Sequence, residues 1–254
     1  MVEKTSPILE MKRIKKRFGE TLALDDVDLT LHRGEVLGLI GENGAGKSTL
    51  LKLLARFYDP QKGEIFVNGT PLKDLDAHEW RNRLAVLFQE FETYPFSAHE
   101  SIGYGSIESV DDIEGIKDAA KKTGIDTFLE SLPKKYENPL DPQFTGGLRP
   151  SIGQWQRIGI SRMLFRKKAR IIVMDEPTSN VDPEAEEQIF SELAKIAKDK
   201  ILIFVTQRFS TVRIADRIIL ISGGKILENG THQSLMKEKG KYHDLFELQA
   251  KGYK

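Results

Sequence analysis

The chain has 254 residues, 39% of them hydrophobic, which is enough for a substantial buried core in one or two domains. Its 38 Lys plus Arg residues balance 38 Asp plus Glu residues, and this zero net charge argues against a general electrostatic attraction to nucleic acid. Cysteine is absent, which excludes disulfides and thiolate metal sites, and no apolar run approaches the ~18 residues of a membrane-spanning helix. The N-terminus lacks the apolar core of a signal peptide, so we expect a soluble, cytoplasmic chain whose membrane attachment, if any, is made through a partner.

Alternating apolar and polar residues predict β-strands between residues 8 and 40. The pattern is clearest at Leu22, Leu24, Val27 and Leu29. The basic run at residues 12–17 is open to two interpretations. The one we favour is the solvated face of an edge strand, and the other is contact with anionic lipid or phosphate.

A strand, a glycine-rich loop and a helix are predicted in direct succession, with the strand at residues 36–40 and the helix at residues 48–54. Such a loop directs backbone N–H groups and the positive end of a helix dipole at one point, where a phosphate binds. Lys47 is placed to reach the β- and γ-phosphates, and the Ser48 hydroxyl to bind Mg²⁺. This phosphate loop consists of Gly41, Glu42, Asn43, Gly44, Ala45, Gly46, Lys47, Ser48 and Thr49.

The rest of the chain alternates between strand and helix patterns. Short strands are predicted at residues 64–69 and 84–88, and helical periodicity covers residues 97–168. Apolar strands then follow near residues 170–174, 201–205 and 217–221, with a helix at about 184–198 after the first. This βα alternation predicts an α/β fold with a mostly parallel, doubly wound sheet and a helical insertion, and no internal repeat is evident.

Two adjacent carboxylates end the strand predicted near residue 170. At the tip of a parallel strand beside the phosphate loop, Asp175 is placed to hold Mg²⁺ and Glu176 to act as the general base toward water. Paired acids at a strand end are often only solvated. Their place beside a phosphate loop favours the functional interpretation.

Together these segments resemble the nucleotide-binding domain of ATP-binding cassette (ABC) transporters, over almost the whole chain. Residues 41–49 are similar to the Walker A motif, and residues 171–176 to the Walker B motif with its catalytic glutamate. The resemblance implies a P-loop NTPase fold of the ABC ATPase type, with an N-terminal antiparallel β-subdomain, and ATP and Mg²⁺ as cofactors. It also implies one domain over residues 1–254, in which residues 1–95 and 169–254 form the core and residues 96–168 a helical subdomain carrying the signature motif.

The resemblance assigns further residues to the site. Gln89 occupies the position of the Q-loop glutamine, which contacts Mg²⁺ and the water. Phe18 matches the aromatic residue that stacks on adenine, although core packing is the alternative. Ser179 and Asp182 resemble the D-loop that crosses to a partner subunit, a second nucleotide-binding domain.

The signature motif departs from the family pattern Leu-Ser-Gly-Gly-Gln and reads Pro150, Ser151, Ile152, Gly153 and Gln154. Ser151, Gly153 and Gln154 are retained at the start of a predicted helix, and Pro150 suits such a start. Ile152 replaces a glycine, and its β-branch restricts φ and adds bulk. We therefore expect a weakened contact with the partner's ATP.

A second departure is Gln207, where the family usually has a histidine that contacts the γ-phosphate and positions water. Glutamine still donates a hydrogen bond, but it carries no charge and exchanges no proton at neutral pH. We expect slower hydrolysis than an intact site gives. A tolerated polar replacement is the alternative.

Several segments resemble exporter cassettes, among them residues 88–96, 208–218 and 230–250, whereas the N-terminal part also resembles sugar importers. The apolar residues after Gln89 lie where the family docks a coupling helix of its membrane domain, so Phe91, Tyr94 and Phe96 are expected to form an exposed coupling patch. Residues 1–4 run almost directly into the first strand. The chain is thus expected to be either an excised cassette or a subunit whose transmembrane permease is a separate polypeptide.

Three functions compete at this point. The first is an ATPase motor that dimerises around ATP and drives transport, most plausibly export, from the cytoplasmic face of a membrane. The second is a degenerate regulatory subunit of a heterodimer, which Ile152 and Gln207 favour and Glu176 disfavours. The third is a non-transport cassette ATPase of translation or DNA repair, which the neutral charge disfavours.

Overall fold

The structure, a computed structural model, describes residues 6–252, so the outermost residues of the predicted single domain, 1–5 and 253–254, lie outside it. The strands β1 to β10 are Leu9–Phe18, Thr21–Leu31, Val36–Ile40, Lys62–Val67, Thr70–Pro71, Leu84–Leu87, Ile171–Asp175, Ile201–Val205, Arg217–Ser222 and Lys225–Gly230. The helices α1 to α10 are Lys47–Leu54, Ala77–Asn82, Ala98–Gly103, Ile113–Lys122, Asp126–Ser131, Ile152–Phe165, Pro183–Ile196, Phe209–Val212, His232–Glu238 and Lys241–Gly252. None of the helices between residues 6 and 252 has the length and apolarity that crossing a membrane requires.

The larger sheet has the strand order β10-β9-β3-β8-β7-β6, and its strands are parallel except for the antiparallel edge strand β10. Strands β3, β7 and β8 are buried along their whole length, which explains why they appear in the sequence as continuous apolar runs. The mostly parallel α/β sheet predicted from the βα alternation is confirmed. Because the carboxyl ends of parallel strands lie at one edge of a sheet, the loops after β3, β6, β7 and β8 meet there.

The smaller sheet is antiparallel, with the order β2-β1-β4-β5. Strand β1 pairs with both β2 and β4, so the expectation that the basic run at residues 12–17 marks an edge strand is wrong. The run instead combines the exposed Lys12, Arg13 and Arg17 with the buried Ile14 and Lys16, because one face of the sheet packs on the core and the other meets solvent. Lys12 and Lys15 form ion pairs with acidic residues of this sheet.

Three clusters of buried apolar side chains hold these layers together. One lies between the antiparallel sheet, α1 and one face of the larger sheet, and a second covers the other face with α6, α7 and the C-terminal helices. The third is built from α3 to α6, within the stretch where helical periodicity was found, and includes Trp155. The helical insertion therefore has its own core while α6 also packs on the sheet.

Candidate functional site

The phosphate loop connects β3 to α1 and lies against the antiparallel sheet. Gly46 caps α1 with φ at 106°, a left-handed conformation that favours glycine. A Cβ atom at this position would lie 2.3 Å from the carbonyl oxygen of Ala23 in β2. Glycine is therefore required at position 46 both for the turn and for the close approach of β2. The turn that results is of the kind in which successive backbone N–H groups form an anion-binding nest.

Lys47 begins α1 and is only 6% exposed. Its Nζ donates to the carbonyl oxygens of Gly41, at 2.6 Å, and Glu42, at 2.9 Å. Burial lowers the pKa of the Lys47 ammonium, and the negative charges of Glu176 and Asp175 oppose this effect. An ammonium group has three donors, so one remains for a phosphate oxygen beyond these two bonds.

Asp175 ends β7 and lies below the phosphate loop, 4% exposed. Burial raises the pKa of its carboxyl group, and a hydrogen bond from Ser48 opposes that effect. A carboxylate and a hydroxyl oxygen held side by side are the donor atoms that Mg²⁺ prefers. The two residues fit the metal that the sequence predicts at this point.

Glu176 follows Asp175 and has φ at 50°, which is unusual for a residue with a side chain and costs about 1–2 kcal/mol. Its backbone N–H donates to the carbonyl oxygen of Val205, at 3.0 Å, so the neighbouring strand β8 holds the conformation in place. The carboxylate Oε1 accepts from Gln207 Nε2 at 2.6 Å, and the same amide donates to Asn43 Oδ1 at 3.0 Å. Gln207 thus connects the end of β7 to the phosphate loop.

One cavity of about 280 Å³ brings these groups together. Its lining comprises Asn43 to Thr49 together with Gln89, Glu176 and Gln207. Gln89 is exposed and approaches from the loop after β6. Loops that are distant in sequence therefore face one space lined by a lysine, a carboxylate and three side-chain amides.

Phe18 lies at the tip of the β1–β2 hairpin, 42% exposed, and does not line this cavity in the described part of the chain. Its ring packs edge-on against Tyr58, with centroids 5.2 Å apart, and Lys16 Nζ lies 5.3 Å from the ring centroid. The ring is not part of the core. Tyr58 was missed by sequence reasoning, although two consecutive aromatic residues just after α1 were an available signal.

The signature residues lie at the start of α6. The helix begins at Ile152 with Ser151 as its cap, so Pro150 lies directly before the cap. Ser151 Oγ accepts from Gln154 N–H, and Gln154 Oε1 accepts from Ser151 N–H, which completes a capping box. Ile152 has helical backbone geometry and is 66% exposed, so its β-branch causes no backbone strain and only its bulk remains as an obstacle.

The D-loop packs against α6 of the same chain. Gly153 approaches it so closely that a Cβ atom would lie 2.6 Å from the carbonyl oxygen of Asn180. Gln156, which is buried, donates to Ser179 Oγ at 2.9 Å, and Arg157 pairs with Asp182 at 2.5 Å. Gln156 and Arg157 were not singled out from the sequence.

The signature residues and Asp182 line a second cavity, of about 720 Å³, which shares no lining residue with the first among residues 6–252. Ser151, Ile152, Gly153 and Gln154 all face this second space. The chain therefore presents a phosphate loop and a signature helix to two different places.

The expected coupling patch proves to be a groove. Phe96 is exposed, but Phe91 is half-buried between two core clusters and Tyr94 is half-buried against Phe96 and Tyr104, so the expectation of three exposed rings is wrong. The reason is that α3 and α6 pack onto this segment. The groove, of about 400 Å³, is lined by Phe91 and Tyr94 together with Arg162 and Arg166, but not by Phe96, among the described residues.

The comparisons with known proteins agree with this geometry. The sequence model of the ABC transporter family matches residues 24–179. An ATP-dependent lipid A-core flippase of Saccharophagus degradans is 37% identical over 91% of this chain and 38% of its own length. A subtilin transport ATP-binding protein of Bacillus subtilis is 36% identical over 84% of this chain and 35% of its own length.

Among solved structures, a bacterial Atm1-family ABC exporter with ATP bound has a TM-score of 0.88 and 27% identity, over 96% of this chain and 42% of that chain. The chain thus spans less than half the length of these relatives.

Proposed function

The chain belongs to the ABC transporter family, and we propose that it is the ATP-hydrolysing motor of an exporter, working as a dimer that closes around ATP. The observation that carries this proposal is the separation of two cavities in one chain. The phosphate loop, Glu176 and Gln207 line one cavity, and Ser151 lines the other. A second copy or a homologous cassette supplies the signature helix that the first cavity lacks.

In the proposed reaction, the phosphate loop and Lys47 bind the phosphates. Ser48, Asp175 and Gln89 would hold Mg²⁺, which would supply positive charge to neutralise the transferred phosphoryl group. The Glu176 carboxylate accepts a proton from the attacking water. Gln207 Nε2 donates to the Glu176 carboxylate at 2.6 Å and so holds the base in place. Phe18, exposed beside Tyr58, offers an aromatic face on which the adenine can stack.

The signature helix contributes to the partner's site. In its capping role Ser151 Oγ is an acceptor, which leaves its O–H donor for a phosphate oxygen of the partner's ATP. Ser179 and Asp182 hold the D-loop on this helix. ATP binding at the phosphate loop is therefore proposed to be coupled to ATP binding at the signature helix. The division into a core, residues 1–95 and 169–254, and a helical subdomain, residues 96–168, is part of this proposal.

The groove lined by Phe91, Tyr94, Arg162 and Arg166 is the reason to include a transmembrane partner in the proposal, with the chain at the cytoplasmic side of the membrane. Arg162 stacks on Tyr94, with its guanidinium 4.3 Å from the ring centroid. Arg162 Nη2 and Arg166 Nε are buried there with no hydrogen-bond partner among residues 6–252. Buried donors of this kind need an acceptor, which carbonyl or carboxylate oxygens of an inserted coupling segment would supply.

A degenerate regulatory subunit is the second candidate, because Ile152 protrudes from the signature helix. Against it stands Glu176, because its carboxylate, held by the hydrogen bond from Gln207, keeps a general base in the chain's own site. The test is ATPase activity as a function of protein concentration, with Lys47→Ala as the control for contaminating activity. We expect activity to rise more steeply than linearly, and strict proportionality would count against the dimer.

A further inference from the structure

The C-terminal helix α10 contacts the loop that carries Gln207. Gln249 Nε2 donates to the carbonyl oxygen of Gln207 at 2.9 Å, and Gln249 Oε1 accepts from the backbone N–H of Phe209, also at 2.9 Å. One amide side chain therefore binds the main chain on both sides of Arg208. The first bond is made to the segment between β8 and α8, and the second to the first residue of α8, a helix of one short turn.

Helix α10 is itself held in place by packing against α8 and by hydrogen bonds to β10. Tyr242 is fully buried, and the rings of Tyr242 and Phe246 pack on Phe209 at centroid distances of 5.4 and 5.7 Å. The carboxylate of Glu228 accepts from the first N–H groups of the helix, at 2.6 Å from Lys241. The start of α10 is thereby fixed to β10 and its middle to α8.

The same helix also reaches the phosphate loop. Lys241 Nζ pairs with Glu42 Oε1 at 2.8 Å, and this ion pair holds the pKa of Glu42 below its usual value. Both partners are partly exposed, so the pair contributes little by itself. It shows that α10 contacts the phosphate loop at Glu42 as well as the main chain at Gln207.

We propose that Gln249 is a positioning residue for ATP hydrolysis, which holds the main chain around Gln207 so that the Gln207 amide stays on Glu176. This inference rests on the proposed ATPase function. The Gln207 side chain has to satisfy Glu176 and Asn43 at once, which requires its backbone to stay in place. Small displacements of a positioned group reduce the rate of the chemical step far more than they reduce binding.

The experiment compares Gln249→Met, which keeps the length of the side chain but removes both bonds, with Lys251→Met on the exposed surface of the same helix. We expect Gln249→Met to lower kcat about tenfold at unchanged ATP affinity. Lys251→Met is expected to have the kcat and the ATP affinity of the wild type. Gln249→Glu keeps the acceptor for Phe209 N–H but loses the donor, so its kcat is expected to lie between those of the wild type and Gln249→Met.

A double-mutant cycle with Gln207→Ala separates positioning from general stability. If Gln249 acts through Gln207, adding Gln249→Met to Gln207→Ala lowers kcat no further. Additive losses, an unchanged kcat in Gln249→Met, or a change in ATP affinity alone would overturn the inference. Thermal unfolding midpoints verify folding, and Gln249→Glu takes the place of a Met variant that does not fold. A wild-type chain without any ATPase activity overturns the proposed function itself, which is a different outcome.

Discussion

The phosphate-loop half and the signature half of the proposed nucleotide site differ in how completely one chain builds them. In the first half the ends of parallel strands converge, and Lys47, Glu176 and Gln207 are held by bonds within the chain. In the second half the start of α6 is exposed, and the side chains of Ser151 and Gln154 bond to each other's backbone N–H groups. The first half is thus preorganised for chemistry, whereas the second becomes functional only against another surface.

The two departures from the family pattern fall one in each half. Gln207 is fixed by three hydrogen bonds and alters the chemistry of its own chain's site. Ile152 has an exposed side chain, so we expect it to act on association with the proposed partner. Changes to the first half are therefore expected to act on turnover, and changes to the second on dimer formation.

The largest effect is expected for Glu176→Gln. This change removes the general base and keeps the side chain's size, so hydrolysis is expected to fall by at least about 100-fold while ATP binding persists. Size-exclusion chromatography in ATP is expected to show a trapped dimer. Glu184→Gln, an exposed residue of α7, is the control and should behave as the wild type. Retained turnover in Glu176→Gln would show that another group takes the proton.

A smaller effect, on turnover alone, is expected for Gln207→His. A histidine N–H replaces one donor and adds a group that can carry charge, so kcat is expected to rise about fivefold with the dimerisation concentration unchanged. Steady-state ATPase assays at saturating ATP measure this. Gln143→His, on an exposed loop, controls for the new histidine. Unchanged turnover would mean that glutamine is a neutral replacement here.

The smallest effect is expected for Ile152→Gly. Removing the exposed side chain lets the start of α6 approach a phosphate more closely, so half-maximal specific activity is expected at about two- to threefold lower protein concentration. The maximal rate is expected to stay the same. Ile107→Gly removes an equally exposed isoleucine from a surface outside the signature and is the matched control. An effect on the maximal rate alone would contradict the division between the two halves.

Sequence reasoning succeeded where the information is local. The phosphate loop is one continuous segment, and β3, β7 and β8 are apolar throughout because both faces of a parallel sheet are buried. Strand β10 was not predicted, since its residues are exposed or only half-buried and give no clear apolar pattern.

What the sequence did not predict depends on contacts between distant segments. Gln249 lies 42 residues from Gln207, and a single amide on a helix leaves no periodic signal. Phe91 is half-buried because α6 packs over it, and charges at residues 12–17 mark a solvated face rather than an edge. Glu176 could be chosen as the base, but its left-handed backbone and its bond to Gln207 could not be read from the chain.

The most direct test of the account is complementation between two inactive variants. Lys47→Ala disables the phosphate-loop half, and Ser151→Asp keeps a good helix cap but places a negative charge against the partner's phosphate. Each variant alone is expected to be nearly inactive. In an equimolar mixture half of the dimers are mixed, and each has one intact site, so activity is expected to reach about a quarter of the wild-type value. A mixture no more active than its components would contradict a site shared between two chains.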